Sequence, residues 1–263
     1  MPMTRRQRQR TQRGVLYGLF VAVVGTLIWL ANWELLSDQF LDLDIARQMF
    51  PEVVTIAARN TVVYTALAFG FGLLLGLLLA LMKLSPVAPY RWVATIYIEI
   101  FRGLPALLTI LLFAFGIPLA FGWRPPGGPA GAGVVGLIVV AGAYIAETLR
   151  AGIQAVPKGQ VEAARSLGMS PGRTMISIVL PQAFRIVIPP LTNELVLLLK
   201  DTSLLAVAGA TVATRELLGY SRQDLFTFSS PTPLMVAGLL YVAITIPMTQ
   251  LVALLERRQR RSL

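Results

Sequence analysis

Six apolar runs separated by short polar stretches frame the chain: residues 14–33, 61–82, 104–122, 134–156, 186–199 and 232–255. The fifth is interrupted by Lys200 and Asp201 and continues apolar through 202–210. About 20 helical residues cross the hydrocarbon core of a bilayer, so the pattern predicts an all-α integral membrane protein with six transmembrane helices. A secretory signal would begin like residues 14–33, but this run is too long and no small-x-small cleavage site follows it. It reads as a retained N-terminal anchor ahead of five core spans.

The polar stretches differ in charge. Residues 34–60 carry Glu34, Asp38, Asp42, Asp44 and Glu52 and are expected outside. So are the Pro/Gly turn at 123–131, whose single charge is Arg124, and the polar stretch 211–231. Residues 90–102 mix aromatic and apolar positions with Glu99, which suits a segment lying along the interface before the third span. Gly72 and Gly76 form a GxxxG pair for close helix contact. Pro189 and Pro190 are expected to distort the start of the fifth span.

Composition supports this reading. The chain is 56% hydrophobic and 14% charged, whereas a soluble domain carries about 25% charged residues. The net charge of +10 does not point to nucleic acid, because the basic residues flank the apolar runs: Arg5, Arg6, Arg8, Arg10 and Arg13; Lys83 and Arg91; Lys158, Arg165, Arg173 and Arg185; Arg257, Arg258, Arg260 and Arg261. That is a topology signal. With six spans it puts both termini and the loop 157–184 in the cytoplasm. Cysteine and histidine are both absent, which removes disulfides, the commonest acid–base catalyst and the usual metal ligands, so no metal site is expected.

The loop 157–184 is the most informative stretch. Pro157 suits the first turn of a helix. Gly168 stands where that helix stops, since glycine takes the left-handed capping conformation without strain. Ser170 and Pro171 then start a second short helix. Ala163 and Ala164 leave one face thin enough for another surface to approach. A helix–corner–helix on a loop between spans has the shape of a docking device.

Glu162, Ala163, Ala164, Gly168, Ile178, Leu180 and Pro181 reproduce the cytoplasmic EAA loop, and on these residues the chain resembles the permease subunits of bacterial ATP-binding-cassette (ABC) importers. The resemblance runs from about residue 61 to 258. It is most similar to the branch serving polar amino acids, through Glu99-Ile-Phe-Arg102-Gly103-Leu-Pro105, Ala143-Tyr144-Ile-Ala-Glu147, Asn193-Glu194 with Lys200-Asp201-Thr202-Ser203-Leu204, and Leu255-Glu256-Arg257-Arg258. It implies a type I permease core at 61–263, preceded at 1–60 by a basic arm, an extra helix and an acidic external segment. It also implies coupling to ATPase subunits through Glu162, Ala163, Ala164, Arg165, Gly168, Pro171, Leu180 and Pro181. The implied partners are two ATP-binding cassette subunits that bind ATP and Mg, a second permease (itself or a homologue) and an extracytoplasmic solute-binding protein. The amino acid is the implied substrate and the bacterial inner membrane the location; no cofactor is bound by this chain.

Charge inside a bilayer costs roughly 2.5–3.5 kcal/mol per residue on insertion scales, so it needs a partner or a wet cavity. Glu147 lies about eight residues before the end of the fourth span and Asn193 about seven into the fifth, so at about 1.5 Å per residue both sit some 10–12 Å from the inner face. Glu147, Asn193, Lys200, Asp201, Thr202 and Ser203 are the candidate substrate pathway, able to offer both signs to a zwitterion. Glu147 is equally suited to a structural pair with Arg150 one turn on, and Lys200 with Asp201 to fixing a helix break. Glu99 and Arg102 read as a structural pair. Glu194 has no evident partner. Lys158, Arg165 and Arg173 suit either acidic groups on an ATPase or topology. Two other functions compete: a self-sufficient secondary transporter or channel, which would need matching halves, and a membrane enzyme, for which no catalytic set is evident. No phosphate-binding P-loop is present; residues 168–173 have the wrong spacing and arginine in place of lysine.

Overall fold

The computed structural model describes residues 5–123 and 125–260, so Arg124 and Arg261 lie outside the described residues. The chain is all-α, with no strand among the described residues. It begins with α1 (Arg5–Leu30), α2 (Trp33–Phe40) and α3 (Leu43–Gln48). A π-helical turn, Val53–Ala58, runs into α4 (Arg59–Leu84), so the second span starts at Val53 rather than at Thr61. Next come α5 (Ala88–Gly103) and α6 (Ala106–Leu111), which continues through a π-turn into α7 (Ile117–Phe121). After α8 (Gly128–Gln154) come α9 (Lys158–Ser166), α10 (Pro171–Thr174), α11 (Leu180–Asp201), α12 (Leu217–Phe228) and α13 (Thr232–Arg260).

Five helical stretches are long and apolar enough to cross a membrane, and α5 with α6–α7 makes a sixth, bent by 106°. The bend falls at Leu104 and Pro105, where proline cannot donate to the ladder and the residue before it is driven extended (ψ 141°). The expectation for residues 90–102 therefore holds in one respect: α5 lies across the direction of the helix that follows.

The core is built on α4 and α8. These two run in the same direction and approach closely because Gly72 and Gly76 face Ala141 and Ile145. A Cβ on Gly76 would stand 2.7 Å from Ile145 Cγ2 and 3.0 Å from the backbone nitrogen of Ala146, so the glycines set the helix separation. α11 packs antiparallel on α8, with Val187 and Ala183 at Gly152 near one end and Leu205 at Gly133 near the other. Ala68, Ile110, Leu137, Ile145 and Leu198 fill the space between.

Two expectations need correction. Pro189 and Pro190, expected to distort the start of the fifth span, do not interrupt it. Both lie inside α11, and the helical run is continuous from Pro171 to Val207. Each proline costs the helix one backbone donor, and packing of the buried Val187, Val196, Leu198 and Leu199 on the same helix holds the run together. The stretch 211–231 is not merely a polar connection, because it contains α12, whose Leu217 joins Met49, Val53, Ala57 and Val236 in a second apolar cluster. α1 stands apart, with none of its span buried.

Candidate functional site

The loop 157–184 folds as a hinged elbow. Pro157 (ψ 128°) caps α9, and the helix ends where Gly168 takes φ +82°, the left-handed conformation that closes a helix. Backbone N–H groups of Gly168 and Met169 donate to the carbonyls of Arg165 and Ala164. Ser170 then accepts from the Arg173 N–H through its hydroxyl, and Pro171 opens α10. Glu162, Ala163, Arg165 and Leu167 point outward, Leu167 at 85% exposure. Ala164 does not share that thin face. It is buried together with Thr174, beside the cluster of Val161, Val179 and Ala183, because α9 lays this side against the turn after α10. Pro171 and Pro181 are exposed and Leu180 half-buried. Arg165 donates to the Met169 carbonyl, so one of its guanidinium donors ties the corner itself. The second helix is not short: it is the beginning of the fifth span.

Above the elbow, three charges from two helices meet. Lys83 Nζ, at the end of α4, donates to Glu147 Oε2 at 3.2 Å. Arg150 Nε, one turn along α8, donates to both carboxylate oxygens at 3.1 Å, and its Nη1 donates to Gln154. The structural pairing of Glu147 with Arg150 is therefore present, and Lys83, 64 residues away along the chain, completes it. All three are about one-fifth exposed.

Glu99 and Arg102 form no ion pair, contrary to expectation. The Arg102 guanidinium lies 5.6 Å from the ring centroid of Tyr144 on α8, a cation–π geometry available because α5 is laid across α8. The other pathway candidates divide by face. Asn193, Leu197 and Lys200 recur at helical spacing on α11 and are all exposed, a stripe that this chain leaves uncovered. Thr202 is fully buried and donates to the Leu199 carbonyl, so it closes the end of α11, where the chain tightens into a 3₁₀ turn at Thr202–Val207. Asp201 and Ser203 are half-buried there, and Glu194 is half-buried one face round from Asn193.

Sequence reasoning missed Glu216, which is 2% exposed. Its carboxylate accepts from the N–H groups of Leu218 (2.7 Å) and Gly219 (2.6 Å) and from the Tyr241 hydroxyl (3.0 Å). Thr61 on α4 accepts from the Leu217 N–H at 3.1 Å. Burial pushes the Glu216 carboxyl up to about 7, against the pull of those donors. The signal was an N-capping acid followed by two leucines and a glycine, lost in a stretch read only for its polarity.

The described residues contain no group of three or more acidic side chains arranged to hold a metal. The geometry places a capped corner at one end of a long helical run, a charged cluster between α4 and α8, and an exposed stripe of Asn193, Leu197 and Lys200 on α11.

Comparisons with known proteins agree with this architecture. The model of the family "binding-protein-dependent transport system inner membrane component" matches residues 72–261. The probable glutamine ABC transporter permease protein GlnM of Bacillus subtilis is 38% identical over 77% of this chain and 91% of its own length. The arginine transport system permease protein ArtQ of the same organism is 36% identical over 71% and 83%. Among solved structures, that of an amino acid ABC transporter with histidines superimposes with a TM-score of 0.75 at 36% identity, covering 82% of this chain and 98% of that one. The methionine ABC transporter MetNI, at 19% identity and a TM-score of 0.64, shares the fold. The chain thus belongs to the inner-membrane components of binding-protein-dependent transport systems, as an ABC transporter permease.

Proposed function

We propose that this permease forms half of the translocation pathway of an ATP-driven importer of polar amino acids, works in a bacterial inner membrane with both termini cytoplasmic, and receives its mechanical drive through the elbow at 157–184. The observation that carries this reading is the continuity of the elbow with the fifth span. Pro171 to Val207 is one helical run, about 55 Å long at 1.5 Å per residue, with the corner at one end and Asn193 and Lys200 along its side. A push on the corner moves that stripe as a lever.

The uncovered stripe supports a second permease, because Asn193 and Lys200 in a span need a polar or wet surface rather than lipid. Two such stripes facing each other would enclose a passage lined by amide and ammonium groups. The outward side of α9, with Glu162, Ala163 and Leu167, is the surface for one ATPase subunit; two such subunits, binding ATP and Mg, would serve the pair. A solute-binding protein delivers the amino acid at the opposite end. The names of the relatives support amino acids as the class.

Reconstitution tests this. Proteoliposomes holding the permease, its ATPase and its binding protein should accumulate a polar amino acid when ATP is enclosed on the elbow side. Uptake of the same size without the ATPase would overturn the reading.

A further inference from the structure

We propose that the end of the bundle opposite the elbow carries a carboxylate-binding vestibule, formed by Arg215 just ahead of α12 and Arg222 on it, that holds the free amino acid before it enters the passage. The proposal rests on the amino-acid importer reading above.

Its location follows from the contacts of α4. The Arg215 carbonyl accepts from Asn60 and the Thr214 carbonyl from Tyr64, both at the start of α4, whereas Lys83 at its other end lies on the elbow side. Gly219, Arg222, Gln223 and Phe226 recur at intervals of three, four and seven on one side of α12, and Arg215 stands just before its N-cap, Glu216, in extended backbone. They line a cavity of about 260 Å³ whose floor includes Ala206.

Neither guanidinium makes an ion pair or a side-chain hydrogen bond among the described residues, and Asp224 on the same helix pairs with neither. Two unpaired guanidinium forks beside the Gln223 amide suit a carboxylate, which accepts in the plane of the fork. Gly219 keeps the floor open. A Cβ there would stand 2.9 Å from Glu216 Oε1 and 3.5 Å from Ala206 Cα.

A second cavity of about 340 Å³ adjoins the first, sharing Ala206 and Arg222 with it and continuing along Val207, Leu225 and Leu234 to Ser203. The first presents Arg215, Arg222 and Gln223, and the second is lined almost wholly by apolar side chains. An amino acid fits the pair with its carboxylate at the arginines and its aliphatic stem on the apolar wall. No acidic group lines either cavity, so the ammonium is left free to be drawn onward, and Ser203 follows directly on the Lys200–Thr202 turn.

The test uses the assembled permease–ATPase complex in nanodiscs, without binding protein, probed by saturation-transfer NMR with L-arginine, L-glutamine and L-argininamide, which lacks the carboxylate. Both amino acids should bind, and argininamide and the Arg215→Gln/Arg222→Gln variant should each bind roughly tenfold less, as loss of charge-assisted contacts implies. Arg222→Lys, which keeps the charge but not the fork, should fall between. Equal binding by the double variant, or by argininamide, overturns the vestibule. So does a wild-type complex that binds no free amino acid while the double variant needs more binding protein for half-maximal ATPase stimulation, because the arginines would then dock an acidic protein surface. ATP-driven uptake by the wild-type transporter, measured in parallel, separates the two readings. If uptake is present and the vestibule result negative, only the vestibule falls; if uptake is absent, the importer reading falls and takes the vestibule with it.

Discussion

Lys83 Nζ sits 3.2 Å from Glu147 Oε2, joining the elbow-side end of α4 to the last third of α8. Because Arg150 binds the same carboxylate, one anion screens two cations that would otherwise repel between α4 and α8. Glu147 is thereby committed to structure in this conformation rather than presented to a substrate. Glu147→Gln should lower stability by about 2–4 kcal/mol, since removing one partner of a largely buried cluster leaves charge uncompensated. The Lys83→Met/Glu147→Gln pair should recover part of that loss. Thermal unfolding in detergent measures both, and a Glu147→Gln melt equal to wild type would remove the clamp from the account.

The glycine contact between the same helices has a different signature. At Gly76 an added methyl meets Ile145 and the backbone of Ala146, and backbone cannot swing aside. Gly76→Ala should cost about 1–3 kcal/mol, as overpacking does. Gly70→Ala, on the same helix but with nothing within 4 Å, should leave the melting temperature unchanged or slightly raised. Equal losses at both positions would mean that α4 and α8 are not in contact as described.

Gly168 isolates backbone from packing. Its φ is +82° and nothing lies within 4 Å of where a Cβ would stand, so a substitution there acts through strain alone, roughly 1–2 kcal/mol. Gly168→Val should insert and fold but lose ATPase co-purification and transport. Gly168→Asn should keep much of both, because asparagine tolerates the left-handed region. Loss of function in the asparagine variant equal to that in the valine variant would contradict the corner as its cause.

These positions also show what was legible in the sequence. Pro157, Gly168, Ser170 and Pro171 govern dihedral angles and caps within a few residues of themselves, so their structural roles could be read without knowing the fold. Gly72 and Gly76 announced a close contact but not its partner. Lys83 with Glu147, 64 residues apart, and Arg102 with Tyr144 depend on how α5 and α8 cross, which no local pattern encodes. The π-turn at Met175–Val179 joins the second elbow helix to the fifth span, and further along Pro189 and Pro190, expected to distort its start, are accommodated inside α11. The membrane spans were clear because length and hydropathy suffice for them. The fold of 211–231 was not, since Glu216 is polar by composition and buried only by its tertiary neighbours.

Glu216 gives a pH dependence whose sign follows from linkage. Burial lifts its carboxyl from 4.5 to about 7 in the folded protein, so between those values the native state holds a proton that the unfolded chain has released. Stability should therefore fall as pH rises from about 4.5 to about 7 and level off above, from this group's contribution. Glu216→Gln should flatten that slope. Melting temperatures of both proteins across the interval decide it, and parallel curves would show that Glu216 does not titrate there.

The central claim is that motion enters at the elbow and leaves through the fifth span, and one measurement addresses it directly. A spin-label pair on Leu167 and Leu197 of the two permeases in an assembled, reconstituted transporter reports both ends of the lever while amino acid uptake is followed with and without ATP. The account predicts that trapping the ATP-bound state shortens the Leu167–Leu167 distance and changes the Leu197–Leu197 distance with it, and that Gly168→Val abolishes both shifts together with uptake. ATP-dependent uptake with both distances unchanged would contradict it.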